Sequence, residues 1–221
     1  MSSRWDFHAH LVPGLDDGAR DFDQSLQMLR AAASQGVTDI VTTPHLRHAQ
    51  QLEKAQVYQQ RLEQVRRLAQ PLSIRVHRGY EVNYRLLAEL TPNQLGPACL
   101  ENSRLLLLEL PTERLFPNWE SVISSLVRSG YQIMLAHPER YLYFQEHPSF
   151  LDDFLSYGLM AQIDAAALYG GFFSQEKHTA MAFLKKGRAY CLASDAHSPR
   201  EYQYLGRALA QYGNLLPKDN A

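Results

Sequence analysis

Leu105-Leu106-Leu107-Leu108-Glu109 and Ile133-Met134-Leu135-Ala136-His137 each run four apolar residues straight into one polar residue. Such runs are too short for helices and lack the in-and-out alternation of a half-solvated strand, so they predict strands covered on both faces. Similar runs occur at 5–8, 39–43, 74–81, 160–164 and 189–194, which gives seven predicted strands. Amphipathic stretches separate them. In 23–35, Leu26, Met28, Leu29, Ala32 and Ala33 form an apolar face that stops at Gly36, and helices are likewise expected at 51–70, 119–128 and 174–186. Strand alternating with helix is the pattern of a parallel α/β fold. Seven units in 221 residues fall just short of the roughly 250 residues of an eight-fold barrel, so a distorted (β/α)7 TIM-like barrel is expected.

No linker, low-complexity tract or fixed-period repeat divides the chain, and its 45% apolar content is enough for a substantial core, so one domain over residues 1–221 is predicted. The net charge of -1 provides no broad positive field, which argues against nucleic acid or an anionic membrane as partner. The opening Met1-Ser2-Ser3-Arg4-Trp5-Asp6 does not resemble a signal peptide, and no later run approaches the roughly 18 apolar residues of a membrane span. A cytoplasmic protein without membrane insertion is the expectation.

Cys99 and Cys191 are too few for a disulfide scaffold and read as buried thiols. Neither fits a cysteine phosphatase, which needs a Cys and an Arg at opposite ends of one phosphate-cradling loop. Arg104 comes one place too early after Cys99, and His197 stands where Cys191 would need an Arg.

Six of the seven predicted strands end in metal-capable side chains: His8 with His10, then His45, Glu81, Glu109, His137, and finally Asp195 with His197. One polar residue at a strand end is ordinary. A series of them is not, because the carboxyl ends of parallel strands share one rim, and so many buried carboxylates and imidazoles would cost several kcal/mol per unpaired charge without bound cations. Within Asp6-Phe7-His8-Ala9-His10, alternation on a strand points both imidazoles the same way, so they can share one ion. The amidohydrolase barrels also open with H-x-H, but they usually add a strand-four lysine, and Glu109 holds that position here.

These blocks, together with Pro13-Gly14-Leu15-Asp16-Asp17-Gly18, Thr43-Pro44-His45, Gly79-Tyr80-Glu81, Ala136-His137-Pro138-Glu139-Arg140-Tyr141 and Ser194-Asp195-Ala196-His197, resemble the polymerase and histidinol phosphatase (PHP) superfamily. More narrowly they resemble its CpsB/CapC branch, the bacterial tyrosine-protein phosphatases encoded with capsule and exopolysaccharide genes. The resemblance implies three divalent ions: one held by His8, His10, Glu81 and Asp195; a second by Glu81, Glu109 and His137; a third by Asp17, His45 and His197. Mixed nitrogen and oxygen donors suit manganese, iron or zinc better than magnesium or calcium, with manganese the leading expectation. Three divalent cations outweigh the four carboxylates even with one hydroxide bound, so the pocket favours an anion. The implied reaction is in-line attack of a metal-bound hydroxide on a phosphotyrosine phosphorus.

Arg140, Arg200 and Arg47, each close after a ligand-type histidine, are candidates to grip phosphate oxygens, with Arg140 and Arg200 also placed beside Glu81 as catalytic. The segment 165–173, with Tyr169, Phe172 and Phe173 around two glycines, offers aromatic surface for a substrate ring, and Asp164 departs from the Asn that relatives often carry. The implied partner is an autophosphorylating bacterial tyrosine kinase that controls polysaccharide synthesis. Two alternatives stand beside this reading: a small-molecule phosphomonoesterase acting on histidinol phosphate or a nucleotide, and a noncatalytic scaffold, which should have lost its ligands.

Overall fold

A computed structural model of the chain describes residues 4–217. Among these residues nine short strands form: β1 Trp5–Ala9, β2 Asp39–Thr42, β3 His45–Leu46, β4 Arg75–Arg78, β5 Glu81–Asn83, β6 Leu105–Glu109, β7 Gln132–Ala136, β8 Met160–Asp164 and β9 Cys191–Ala193. The α-helices among them are α1 Phe22–Ser34, α2 Ala55–Ala69, α3 Leu86–Glu89, α4 Trp119–Arg128, α5 Leu142–Glu146, α6 Leu151–Ser156, α7 Gln175–Lys185 and α8 Pro199–Tyr212. The expected helix over 51–70 is α2 preceded by the 3-10 turn Ala49–Lys54.

Two predicted strands are followed or interrupted by a shift into the other sheet. The strand predicted at 39–43 is β2, and the unpredicted β3 follows it beyond Thr43-Pro44, where proline has no N–H for the ladder. The strand predicted at 74–81 becomes β4 and β5, separated at Gly79-Tyr80. A Cβ on Gly79 would lie 2.8 Å from Val41 Cγ1, so the chain crosses there too tightly for a side chain.

All pairings are parallel, in two sheets ordered β1-β2-β4 and β3-β5-β6-β7-β8-β9. The expected parallel α/β architecture is present, but closure of a seven-stranded barrel is not seen, since no continuous ladder joins β9 to β1 among the described residues. One isolated bridge, Ala9 to Ala196, and the His10 N–H donating to Ala196 O at 2.9 Å are the backbone links there. The cause is local: β9 is three residues long, the Ser194 N–H donates to the Asp6 carboxylate (2.9 Å) rather than to a strand carbonyl, and Asp195 turns left-handed at φ 45°.

The core is one large cluster of buried apolar residues, with a smaller one around Val41, Leu107, Met134 and Cys191. Leu106, Leu107 and Leu108 are all buried, as the unalternating run predicted, each contributing on the order of 2 kcal/mol of transfer free energy. Helices cover the outside. Asp21 caps α1 by accepting the Gln24 N–H at 2.8 Å, and Met28, Leu29 and Ala32 face inward. Trp119, the first residue of α4, stacks on Phe154 of α6 with ring centroids 4.1 Å apart. Among the described residues no helix is long and apolar enough to cross a membrane.

Candidate metal centre

The carboxyl ends of the strands bring together all nine residues predicted as ligands. Four overlapping groups form, within each of which the donor atoms lie inside 4.8 Å of one another: His8 with Glu81 and His137; His8 with His10 and Asp195; His45 with Glu81 and Glu109; and His10 with Asp17, His45 and His197. Glu81 sits at the middle. Its Oε1 is 2.8 Å from His137 Nε2, and its Oε2 is 2.7 Å from His45 Nδ1, 3.5 Å from His8 Nε2 and 3.7 Å from His10 Nε2. Asp195 Oδ1 lies 3.2 and 3.3 Å from His8 and His10 Nε2. Asp17 is two-thirds exposed (67%) and forms the outer edge, 3.3 Å from His45 Nε2 and 3.5 Å from His197 Nε2. The grouping differs from the expected one at Glu109, which joins His45 and Glu81 rather than His137.

Residues that the sequence reading passed over hold these ligands in position. His8 Nδ1 lies 3.0 Å from Gln162 Oε1, His10 Nδ1 2.6 Å from Asp16 Oδ2, and His197 Nδ1 2.8 Å from Asp195 O. In each pair the ring's Nδ1–H donates to oxygen, so Nε2 is the nitrogen directed into the cluster, where it can bind a metal ion once it carries no proton. Asp16, not Asp17, is the inner carboxylate, and it also accepts from the Gly18 and His45 N–H groups. Gly18 is obligatory, because a Cβ there would lie 2.3 Å from His10 O. Asn83 Nδ2 donates to Glu109 Oε2 at 2.8 Å, and Asp6 fixes the last strand end through Ser194 Oγ at 2.6 Å.

Two ligand positions carry backbone strain. His137 (φ 34°) and Asp195 (φ 45°) are left-handed although neither is glycine, an arrangement that costs about 1–3 kcal/mol each and persists where the surroundings dictate it. His137 comes immediately after β7 and Asp195 two residues after the end of β9.

Burial alone would make His8 and His10 harder to protonate. The carboxylates of Asp195 and Glu81 around His8 outweigh this and raise it to about 9, while Asp16 and Asp195 raise His10 to about 10. Burial likewise opposes ionisation of Glu81 and Asp195, yet the positive His8 beside both holds each well below the usual carboxylate range. Protons on imidazoles therefore balance the carboxylates in the metal-free protein.

The donor set fits divalent cations. Glu81 Oε2 and His137 Nδ1 are buried without a hydrogen-bond partner, and the 2.7 Å approach of His45 Nδ1 to Glu81 Oε2 is misaligned for a hydrogen bond. His8 Nε2 and His10 Nε2 face each other at 3.2 Å, an arrangement in which at most one nitrogen can donate. Two nitrogens and two carboxylate oxygens converging in this way have the chemistry of a four-donor transition-metal or zinc site.

A cavity of about 480 Å³ opens over the cluster, lined by seven of the nine candidate ligands (all but the deeper His8 and His10) together with Arg47, Arg140, Asp164, Ala166 and Glu201. Arg140 Nη2 reaches Asp164 at 2.6 Å and Asp195 at 2.7 Å. Arg200 does not line this cavity, since its guanidinium lies over the Tyr204 ring in the first turns of α8, 5.5 Å from the centroid. Of the segment 165–173 only Ala166 reaches the cavity. Tyr169 stacks on Tyr204, while Phe172 and Phe173 are 80% and 87% exposed elsewhere. Asp164, buried against Glu139 and Arg140, has its acidity weakened by burial, and Glu139 is pushed up to about 8 by burial and the nearby Asp164. Both cysteines are buried, and burial raises Cys99 to about 11, so no thiolate is present at neutral pH.

Comparison with known proteins agrees with this geometry. The family model for "Capsular polysaccharide synthesis, CpsB/CapC" matches residues 4–204. Tyrosine-protein phosphatase YwqE of Bacillus subtilis is 29% identical over 197 residues, covering 87% of this chain and 77% of the relative. Tyrosine-protein phosphatase CpsB of Streptococcus pneumoniae is 25% identical over 200 residues, covering 87% and 82%. A structure from the crystallographic study of YwqE and CpsB, described as metal-dependent tyrosine phosphatases, superposes with a TM-score of 0.77 at 26% identity and covers 98% of this chain and 95% of that one.

Proposed function

The chain belongs to the CpsB/CapC capsular polysaccharide synthesis family, and from that premise we propose that it is a metal-dependent protein-tyrosine phosphatase, a phosphoric monoester hydrolase acting as one domain in the cytoplasm. The observation that carries the reading is the convergence of the ring nitrogens of His8, His10, His45 and His137 on the carboxylates of Glu81 and Asp195, with Glu81 Oε2 buried and unpartnered among them. The proposed complement is three divalent ions, manganese first, on a distorted barrel of the PHP type. His8, His10, Glu81 and Asp195 would hold one ion, Glu81, Glu109 and His137 another, and Asp17, His45 and His197 a third.

When bound, such ions neutralise phosphoryl oxygens and lower the pKa of water near them. The remaining work falls to the protein. Arg140 is tied by Nη2 to Asp164 and Asp195, which leaves Nη1 and Nε without a protein acceptor among the described residues and free to grip a phosphoryl oxygen. Arg47 stands across the same cavity and provides a second cation for the incoming dianion. Gln162 and Asp16 keep His8 and His10 in the tautomer that binds. A tyrosine leaving group departs as a phenolate of pKa about 10, so it demands less of a general acid than an alkoxide would. The proposed protein substrate is an autophosphorylating bacterial tyrosine kinase of the polysaccharide system.

Elemental analysis of gently purified protein should find two to three divalent ions per chain, on the order expected for such clusters. Activity should vanish with chelator and return on adding manganese. Free phosphotyrosine, a tyrosine-phosphorylated peptide and histidinol phosphate should be assayed side by side. Preference for histidinol phosphate would defeat the protein-phosphatase reading, and chelator-resistant hydrolysis would defeat the metal mechanism.

A further inference from the structure

A second cavity of about 520 Å³ adjoins the metal centre and shares Arg47 and Glu109 with it as a common wall. Its size lies within the roughly 300–1,000 Å³ of ligand clefts. Two more arginines line it: Arg85, just after β5, and Arg114, in the loop after β6. Arg47, Arg85 and Arg114 are all exposed, and none is ion-paired among the described residues. Arg85 lies 5.8 Å above the Tyr84 ring, which is itself stacked on Phe116 at 5.4 Å, so its guanidinium is supported by an aromatic floor rather than by an acid. Against these three cations the cavity offers two carboxylates, Glu113 and the shared Glu109, and Glu109 is also engaged by Asn83 and by the metal cluster. The other ionisable lining group, His48, is 3.2 Å from Glu89.

Unpaired guanidinium groups gathered on one side of an active site on a chain of net charge -1 are a localised field, not a general property of the surface. Resting on the phosphatase reading, we propose that this cavity is a substrate subsite that takes an acidic peptide flank, the Asp or Glu residues next to the phosphotyrosine in sequence. An extended peptide advances about 3.3–3.6 Å per residue, so with the phosphotyrosine seated over the cluster, the residues two to four places away span roughly 7–14 Å and lie over the neighbouring cavity. Planar guanidinium forks match carboxylates there, and Tyr84 supplies apolar surface for the intervening side chains. The same field would raise the association rate of acidic substrates and weaken with salt.

The test compares kcat/KM of the metal-loaded enzyme on para-nitrophenyl phosphate and on phosphotyrosine peptides with three glutamates, three glutamines or three lysines on one side of the phosphotyrosine, each made in N-flanked and C-flanked form. The glutamate peptide of at least one flank should exceed its glutamine counterpart by about 5–20-fold, with lysine lowest, the scale of one or two charge-assisted contacts. In R85E and R114E that preference should collapse toward unity or reverse, while para-nitrophenyl phosphate turnover, which also reports correct folding, stays within about twofold of the parent. Equal rates on all peptides with normal para-nitrophenyl phosphate hydrolysis would overturn the subsite alone, as would a preference that survives both variants. Hydrolysis of none of these esters by metal-loaded enzyme would overturn the phosphatase reading and the subsite with it.

Discussion

The two ends of the strands bury carboxylates in opposite ways. At the amino end, fully buried Asp39 is gripped through both oxygens by Arg75 at 2.6 and 2.7 Å, with His77 Nε2 at 3.0 Å and Thr38 Oγ1 at 2.9 Å. Trp5 stacks on His77 with centroids 4.7 Å apart and closes that corner. Every charge there has a protein counter-charge and every oxygen a donor. At the carboxyl end, buried Glu81 and Asp195 are surrounded by imidazoles, of which His8, His10 and His197 have their other nitrogens committed to Gln162, Asp16 and a backbone carbonyl, while His137 Nδ1 has no partner. The first cluster is complete as protein. The second has one fixed cation, Arg140 at 2.7 Å from Asp195, and otherwise balances its charge with protons that a divalent ion would replace.

The largest effect that separates the two comes from removing one carboxylate at each end. E81Q should lower kcat/KM on an aryl phosphate by at least about 10³-fold and reduce metal content, since it takes the central donor from several groups at once. D39N should leave kcat/KM within about threefold while lowering Tm on the order of 5 °C, because it discards a buried ion pair remote from the reaction. Equal catalytic losses in the two variants would mean that the clusters do not differ in kind. A smaller loss is expected from R140A, about 10–100-fold in kcat/KM with metal content unchanged, whereas R200A should stay within about twofold, as its guanidinium rests on Tyr204. Smaller again, D16N should weaken metal binding by about 10-fold, measured by competition with a chelating dye, because its carboxylate orients His10 without touching the ion. Unchanged metal affinity in D16N would show that His10 needs no outer partner.

Much of this contrast was readable in the residues alone. Glu109 and His137 announced themselves because an unalternating apolar run has one reading, and a polar residue at its end must reach the rim. Asp195 and His197 followed from the same rule. Gln162 did not, since its partner His8 is 154 positions away, and nothing in Met160–Asp164 says which alternate side chain faces an imidazole. The choice between Asp16 and Asp17 was equally hidden, because adjacent residues in a turn differ in direction only once φ and ψ are known. The breaks at Pro44 and Gly79 were legible as residues, but their consequence, two sheets where one barrel was expected, depends on how tightly Gly79 passes Val41. Helix α8 had a usable signal that went unread: Ser198-Pro199-Arg200-Glu201 forms a capping box in which Ser198 Oγ donates to Glu201 Oε2 at 2.7 Å. Reading that helix would have placed Arg200 in its first turn and separated it from Arg140.

The mildest difference between the ends concerns pH. His8 and His10 titrate above a free imidazole, at about 9 and about 10, so in the metal-free protein their protonation contributes stability that is complete below about pH 6.5 and is lost as pH rises through those values. Glu81 and Asp195, held low, contribute above about pH 4 and lose that contribution as pH falls through their depressed values. Chelated protein should therefore be most heat-stable between about pH 5 and 6.5, and its Tm should fall by several degrees toward pH 9.5. Metal-loaded protein should behave oppositely, because cations bind the same nitrogens only after the protons leave, so the Tm gap between loaded and chelated protein widens as pH rises. Differential scanning calorimetry on both forms across that range would measure the gap. D39N should shift both curves down together, since Arg75 keeps its charge throughout. A chelated Tm that stays flat to pH 9.5 would mean that the histidines are neutral in the empty site and that the carboxylates are balanced by something other than imidazolium.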